Sequence, residues 1–373
     1  MYPETVKKVL VFRIGQLGDT LVSVPAMWAV RKYFKGAKIT LLSDEHPDLG
    51  YVRASDVLDR SGIVDDFLSY HFIKPKKGFL SQSWKMIDLL HELRARKYDT
   101  IVYLAPSWRS ESQIRRDRWF FNLSGIKQFF GFGEFQHFPK KLPGQPLPAV
   151  PQEGDLLLER LHKSGIEVPE IGKGRADINI TEKESRAVER WLTSLPPDGG
   201  RTWIAVGPGS KMPAKVWPTE RYAEAVRRLI EEFDIWPVVF GGHKDKELGQ
   251  SLIQQWARGY NAAGALSVRQ GIATLAKCSL YVGNDTGTIH MAAAAGIRCV
   301  GVYSARDYPG RWEPYGKGHF VLRKNRPCEG CQLQTCIERK AECITSIGVD
   351  DVFQACRTSL GSKLTTKLHE CKV

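Results

Sequence analysis

The sequence predicts an α/β protein built from two successive halves, each a parallel sheet covered by helices. Three observations carry this. Apolar runs of strand length alternate with helix-length stretches over residues 6–123 and again over 203–303. A breaker cluster, Pro196-Pro197-Asp198-Gly199-Gly200, separates the two series. Three strand runs end in polar, glycine-containing turns that open helices, at 15–19, 207–211 and 283–287.

In the first half, residues 6–12 read as a strand and 13–19 as a turn. Residues 20–34 read as a helix despite Pro25. Strands follow at 39–42 and 67–70, an amphipathic helix at 84–96, and a strand at 100–104. Residues 108–123 read as a helix carrying Arg109, Arg115, Arg116 and Arg118. The Pro- and Gly-rich stretch 133–153 is a loop, and 155–164 a short helix. Thr181-Glu182-Lys183-Glu184 is a capping box that opens a helix to 194. The hinge is expected at 196–200. In the second half, strands are expected at 203–206, 237–240, near 260, 280–282 and 299–303, with helices at 219–233, 246–257, 268–277 and 288–295. The expected domains are 1–195 and 201–345, with a C-terminal helix over 346–373. This is the pattern of two Rossmann-like domains with parallel sheets facing a central cleft, and by itself it says nothing of function.

Length and composition agree. At 373 residues the chain exceeds one ordinary core. Hydrophobic residues make up 42% and charged residues 25%, ordinary for a folded soluble protein. No apolar run approaches the roughly 20 residues of a membrane span. The opening residues lead into a strand pattern without a signal core, so a cytoplasmic location is expected. The net charge of +13 favours an acidic partner. No nucleic-acid-binding motif accompanies it, so nucleic acid is not expected.

The most telling segment is Gly283-Asn284-Asp285-Thr286-Gly287, followed by His290 and Ala292 to Ala295. A strand that stops there and feeds a helix presents free N–H groups and a positive dipole end, an anion pocket. Asp285, Thr286, Gly287 and His290 are its candidate ligands; the plainer reading is a helix cap and a core histidine. The turn Gly207-Pro208-Gly209-Ser210-Lys211, with Lys215-Val216-Trp217-Pro218, also follows a strand. Ser210 can donate to phosphate and Lys215 can act as a point charge on a diphosphate. Both turns belong to one half and lie at the carboxyl edge of one sheet, where they can grip one diphosphate. In the first half, Gly15-x-x-Gly18-Asp19 is neither a dinucleotide fingerprint nor a P-loop. Asp19 reads as a general base, or as an N-cap for a helix starting at Thr20. Of the four arginines on the 108–123 helix, Arg109 and Arg116 are seven apart and share a face, which makes them the candidates for an anionic acceptor.

Eight cysteines are present. Cys278 and Cys299 sit in apolar contexts and read as core thiols. Cys328, Cys331, Cys336 and Cys343 form C-x2-C-x4-C-x6-C, for which three readings stand: a zinc or iron site, a redox-sensitive loop, or reduced thiols around a folded turn.

These segments stand in the order of a known family. Ile14-Gly15-x-x-Gly18-Asp19 with Pro25-Ala26, Pro208-Gly209-Ser210 with Lys215-x-Trp217-Pro218, Gly283 to Gly287 with His290, and the late cysteines together resemble family 9 of the glycosyltransferases, the ADP-heptose:lipopolysaccharide heptosyltransferases. The resemblance spans about residues 6–356. It implies a GT-B fold with an acceptor domain, a nucleotide-sugar domain and a C-terminal helix returning to the first. It implies Asp19 as catalytic base, Gly18 on the acceptor side, and Ser210, Lys215, Asp285, Thr286, Gly287 and His290 around the donor. The implied partners are a nucleotide-sugar donor and an anionic glycolipid acceptor, with peripheral contact at the inner-membrane surface. One branch that modifies proteins is thought to hold iron in a similar cysteine finger. Two departures stand out: Thr288 replaces the proline of the usual N-D-T-G-P, and Gln16-Leu17 lengthens the first turn.

The chemistry fits. Glycosyl transfer needs a base for the acceptor hydroxyl and a means to hold charge on the departing diphosphate. No Asp-x-Asp occurs in the chain, so no cofactor is expected for catalysis. A single candidate carboxylate points to direct displacement with inversion. The alternatives are a sugar-nucleotide 2-epimerase of the same architecture, which would need further acid/base carboxylates, a heptosyltransferase acting on protein, and a non-catalytic sugar-nucleotide binder, against which Asp19 argues. Specificity is expected to rest on loops 43–82 and 133–153.

Overall fold

The computed structural model describes residues 3–46, 50–71, 79–133, 135 and 138–370, with side chains described except at 3, 79–84 and 362–370. Of the two expected specificity loops, positions 47–49, 72–78, 134, 136 and 137 lie outside the described residues. The chain divides into two compact units, Met1–Phe138 with Pro151–Asn179, and Pro139–Val150 with Ile180–Val373.

The first unit contains β1 (Lys8–Phe12), α1 (Leu17–Val22), α2 (Val24–Tyr33), β2 (Lys38–Glu45), α3 (Ala54–Leu58), β3 (Asp66–His71), α4 (Phe79–Arg96), β4 (Thr100–Tyr103), α5 (Glu111–Leu123), β5 (Gln128–Phe130) and α6 (Glu153–Lys163). Its sheet is parallel throughout, in the order β3-β2-β1-β4-β5. β1 and β4 are central and covered on both faces, which is why they read as unbroken apolar runs: Val9 to Phe12 and Thr100 to Tyr103 are all buried. The chain leaves β1 for β2 on one side and reaches β4 on the other, so the carboxyl ends of β1 and β4 form the switch point where α/β sheets place their ligands.

Two expected helices differ. The helix at 20–34 is two helices meeting at Ser23, because Pro25 cannot continue α1 but fits the first turn of α2. The helix at 108–123 starts only at Glu111. Ser110 caps it, its hydroxyl accepting from the Gln113 N–H at 3.3 Å, so Arg109 stands outside the helix.

The second unit contains α7 (Glu182–Thr193), β6 (Trp203–Gly207), α8 (Thr219–Phe233), β7 (Trp236–Val239), α9 (Lys246–Trp256), β8 (Tyr260–Asn261), α10 (Val268–Leu275), β9 (Leu280–Asn284), α11 (Gly287–Ala294), β10 (Arg298–Tyr303), β11 (Phe320–Arg323), α12 (Glu342–Thr345) and α13 (Val349–Glu370). Its parallel sheet runs β11-β10-β9-β6-β7-β8. Here the switch point lies between β6 and β9, whose ends are in register at Gly207 and Gly283. The two glycine turns singled out in the sequence therefore leave neighbouring strands side by side.

The unit boundary falls at residues 179–180, not at 196–200. The helix α7 belongs to the second unit, where the Glu184 carboxylate accepts from Arg269 of α10, a pair 14% and 6% exposed. The segment 139–150 also belongs there: the Val150 N–H donates to the Pro309 carbonyl at 2.9 Å and the Leu147 N–H to Glu329 at 2.6 Å. The C-terminal helix, expected to return to the first domain, packs through Val352, Phe353, Cys356 and Leu360 into the core of the second unit, beside Val300 and Val302. No helix among the described residues is long and apolar enough to cross a membrane.

Candidate active site

In the second unit, Asn284 organises both turns. Its carbonyl oxygen accepts from the Trp217 N–H at 3.1 Å and from the Tyr222 hydroxyl at 2.9 Å, and its amide donates to the Pro208 carbonyl at 2.6 Å. A fully buried amide thus binds the end of β9 to both ends of the 208–217 segment. Trp217, itself fully buried, donates its indole N–H to the Ile347 carbonyl at 3.0 Å. With the segment held, Lys215 Nζ lies 2.6 Å from Asp285 Oδ2, the side chains being 13% and 8% exposed. Two residues seventy positions apart in sequence become one ion pair at the switch point.

The remaining predicted groups gather around that pair. Thr286 is the N-cap of α11, yet makes no side-chain cap bond, so the first N–H groups of the helix are not taken by it. Its hydroxyl is 2.9 Å from that of Thr288, which is 2.7 Å from the Tyr281 hydroxyl. Thr288, the departure from the family turn, therefore supplies a hydroxyl link where proline could not. The Tyr281 hydroxyl fills the space over Gly207 and Gly283, where a Cβ would lie 1.9 and 2.4 Å from it, so both strand-end glycines are required. Gly287 opens α11, and His290 lies on it, buried, with Nδ1 lacking a partner. Burial pulls the imidazole down to about 4, with Asp285 opposing and Lys215 reinforcing, so it is neutral at pH 7. Ser210 accepts the Met212 N–H at 3.1 Å and shapes its turn. The carboxylate of Asp245 sits behind that turn, accepting from the Gly242 N–H at 2.7 Å; a Cβ at Gly209 would meet it at 2.3 Å.

In the first unit, Asp19 is the third residue of α1, not its N-cap. One carboxylate oxygen accepts from the Gln16 N–H at 3.0 Å, and the other lies 3.4 Å from Arg13 Nη2. Its side chain keeps 27% exposure, while Arg13 is 1% exposed. Arg13 also donates from Nε to the Asp19 carbonyl at 2.9 Å and from Nη1 to the Leu104 carbonyl at 2.8 Å, fixing α1 against the end of β4. Burial pushes the Asp19 carboxyl above its ordinary value; Arg13 and the Gln16 N–H oppose this, and Glu153 and Asp44 add to it. Gly15, at φ +120, packs against Asp19 where a Cβ would lie 2.4 Å from its side chain. Its N–H donates to Asp44 Oδ1 at 2.8 Å, and the Tyr51 hydroxyl bonds both Asp44, at 2.9 Å, and the Gly15 carbonyl. Gly18 lies within the first turn of α1.

The two arginine candidates are differently placed. Arg109 is enclosed: its guanidinium pairs with Asp117 and donates to the Tyr103 hydroxyl at 3.1 Å, both charged side chains being 9% exposed. Arg116 holds the other oxygen of Asp117 at 2.8 Å but is 65% exposed. Arg13, Asp44, Tyr51 and Asn284 were not among the predicted site residues. Arg13 carried a signal, a charge ending an apolar strand; the others act through partners far away in sequence.

The four late cysteines line one pocket with Ala214, Ala305, Arg306, Arg339 and Glu342. None is in a disulfide. Burial raises the Cys343 thiol, and the other three thiols add to the rise. The thiols share a pocket without forming a ligand set: among the described residues, no group of three or more His, Cys, Asp or Glu side chains is placed to hold a metal ion. The cysteine loop does reach the site, since the Gln334 carbonyl accepts the Ala214 N–H at 3.0 Å, beside Lys215.

Residues 86–342 match the family model of glycosyltransferase family 9 (heptosyltransferase). Lipopolysaccharide heptosyltransferase 2 of Escherichia coli strain K12 is 37% identical over 111 residues, 28% of this chain and 31% of that protein. The chain thus spans about a third of the length of the first curated relatives it matches. Among solved structures, a family 9 glycosyl transferase from Veillonella parvula DSM 2008 superposes with a TM-score of 0.72 at 21% identity, covering 95% of this chain and 98% of that one. An E. coli heptosyltransferase solved with ADP-2-deoxy-2-fluoro heptose gives 0.64 at 18% identity, covering 94% and 99%. At such identities the structural likeness establishes the GT-B fold.

Proposed function

Because the chain belongs to glycosyltransferase family 9, the heptosyltransferase family, we propose that it transfers heptose or a related sugar from an ADP-sugar to an anionic glycan acceptor of the lipopolysaccharide-core type, with inversion. The observation that carries the reading is the Lys215–Asp285 pair at 2.6 Å, formed where two clamped turns leave neighbouring strands. That arrangement supplies a cation and the uncapped N-terminus of α11 to one diphosphate. Asp285 holds the lysine in place and is available to a sugar hydroxyl.

In the proposed reaction the acceptor oxygen attacks the anomeric carbon, its proton passes to Asp19, and the bond from that carbon to the diphosphate breaks. Lys215, Thr286 and the α11 N–H groups take up the charge left on ADP. Burial raises the Asp19 carboxyl above its ordinary value, which makes it a stronger proton acceptor. The reaction as proposed runs without a metal, and no step passes through the cysteine pocket.

A panel of nucleotides and nucleotide sugars tests the reading by thermal shift. ADP and an ADP-sugar should stabilise the chain, by roughly 2.7 kcal/mol at a hundredfold excess over Kd. UDP and GDP should not. Selective stabilisation by UDP would replace this reading with that of an epimerase-type site.

A further inference from the structure

Two arginines are buried at the end of β4, and only one of them is satisfied. Arg13, 1% exposed, places all three guanidinium nitrogens on Leu104 and Asp19. Arg160 of α6, 4% exposed, donates from Nη2 to the carbonyl of the next residue, Ala105, at 2.6 Å. Its Nε and Nη1 have no partner. The Phe135 ring lies over the guanidinium at 4.0 Å. Two residues beyond Ala105, the hydroxyl of Ser107, also buried, lacks a partner as well, while its N–H donates to Glu153 at 2.7 Å.

A buried charged donor is among the groups a folded chain leaves unpaired most reluctantly. Glu153 opposes the charge of Arg160, and Asp19 that of Arg13, but no acceptor reaches Arg160 Nε or Nη1. The unpaired donors, the Arg160 guanidinium of α6 and the Ser107 hydroxyl two residues past the carbonyl that guanidinium holds, have the composition of a site for an oxyanion. The phenyl ring, half-buried, accounts for only one face of the guanidinium.

We propose that Arg160, with Ser107, is the seat of an oxyanion group, carboxylate or phosphate, next to Asp19. The site deepens the proposed function by naming the group through which an acidic acceptor is recognised, and it rests on that reading only for the identity of the molecule that carries the group. The two arginines hold successive carbonyls, Leu104 and Ala105, and Arg13 in turn bonds the proposed base, Asp19. Arg160 replaces Arg109, which is already engaged by Asp117 and Tyr103, as the cation that receives the acceptor.

The test uses the full chain, saturated with ADP so that the second unit's own anion site is filled. Inorganic phosphate, sodium glucuronate and neutral glucose are titrated at matched ionic strength, read by thermal shift and calorimetry. One of the two anions should raise the melting temperature and glucose should not; the stronger arm tells carboxylate from phosphate. Arg160→Met should weaken that binding at least tenfold with ADP affinity unchanged, Arg160→Lys should restore part of it, and Ser107→Ala should weaken it a few-fold. If Arg160→Met fails to fold, Arg160→Lys and Ser107→Ala decide the matter. Equal anion binding by the variants, or none by the native chain, would overturn the site. If ADP binds and the anions do not, the Arg160 site falls alone. If ADP does not bind either, the transferase reading falls with it.

Discussion

The turn after β1 and the paired turns after β6 and β9 share one plan, a strand that ends in a polar glycine turn and feeds a helix, but they treat their carboxylates in opposite ways. Asp285 is tied to Lys215 at 2.6 Å and lies beside a neutral histidine, with a neutral amide, Asn284, holding the scaffold. Asp19 faces its arginine at a longer 3.4 Å, sits on a scaffold of charges from Arg13 and Asp44, and has its pKa raised by burial. The difference teaches how one local design serves two tasks. In the proposed reaction the close ion pair on a neutral frame fixes charge for the donor, and the loosely opposed, desolvated carboxylate takes the proton.

The comparison can be broken at several points. Asp19→Asn should cut turnover by about 100-fold or more while leaving stabilisation by ADP intact, as loss of a general base does; a destabilised variant with full turnover would reduce Asp19 to a helix residue. Asn284→Ala should strand the Trp217 N–H, the Tyr222 hydroxyl and the Pro208 carbonyl, at about 1–3 kcal/mol each for groups left unsatisfied. Chemical denaturation should show a loss of roughly 3 kcal/mol or more, with ADP affinity falling alongside.

The pH dependence of the two frames should differ. His290 has a folded pKa of about 4 against an ordinary 6.5, so the unfolded chain binds the extra proton between those values. Stability from this group is full above about pH 6.5 and is lost as pH falls towards 4, by roughly 3 kcal/mol at most. His290→Gln should flatten the stability profile in that window; an unchanged profile would mean that the imidazole is not held neutral. Lys215→Ala and Thr286→Ala should each weaken ADP about tenfold, and a double-mutant cycle should show coupling if the two turns grip one diphosphate. The smallest effect belongs to Arg116→Ala, within roughly 0.5 kcal/mol for an exposed group. Arg109→Ala should cost clearly more, because it removes a buried ion-pair partner from Asp117 and a donor from the Tyr103 hydroxyl.

Much of this architecture was legible in the residues. Strands covered on both faces, such as β4 and β9, announce themselves as apolar runs, and the turns that follow them carry their glycines and hydroxyls in plain view. Two of the four edge strands did not. β5 and β11 are short and only partly buried, and they leave no clean period. The site was legible at its turns and silent in its frame. Asp44 reaches Gly15 across 29 positions, and Asn284 reaches Trp217 across 67, contacts that no local spacing encodes. Arg109 and Arg116 were matched as helix neighbours, but Ser110 starts the helix after Arg109, and both guanidiniums turn to Asp117.

The boundary at 139–150 bears on how this chain can be recombined. Glu329, almost fully enclosed, is met by Lys141 at 3.2 Å, the Leu147 N–H at 2.6 Å and Arg323 at 3.0 Å, and two of these three come from that short excursion. A chimaera that exchanged the second unit with a relative's by a single crossover at 180 would graft a carboxylate onto a foreign strip with no match for it. Two further crossovers, at 138 and 150, would let the strip travel with its acid, so a domain transplant in this chain is a three-junction operation.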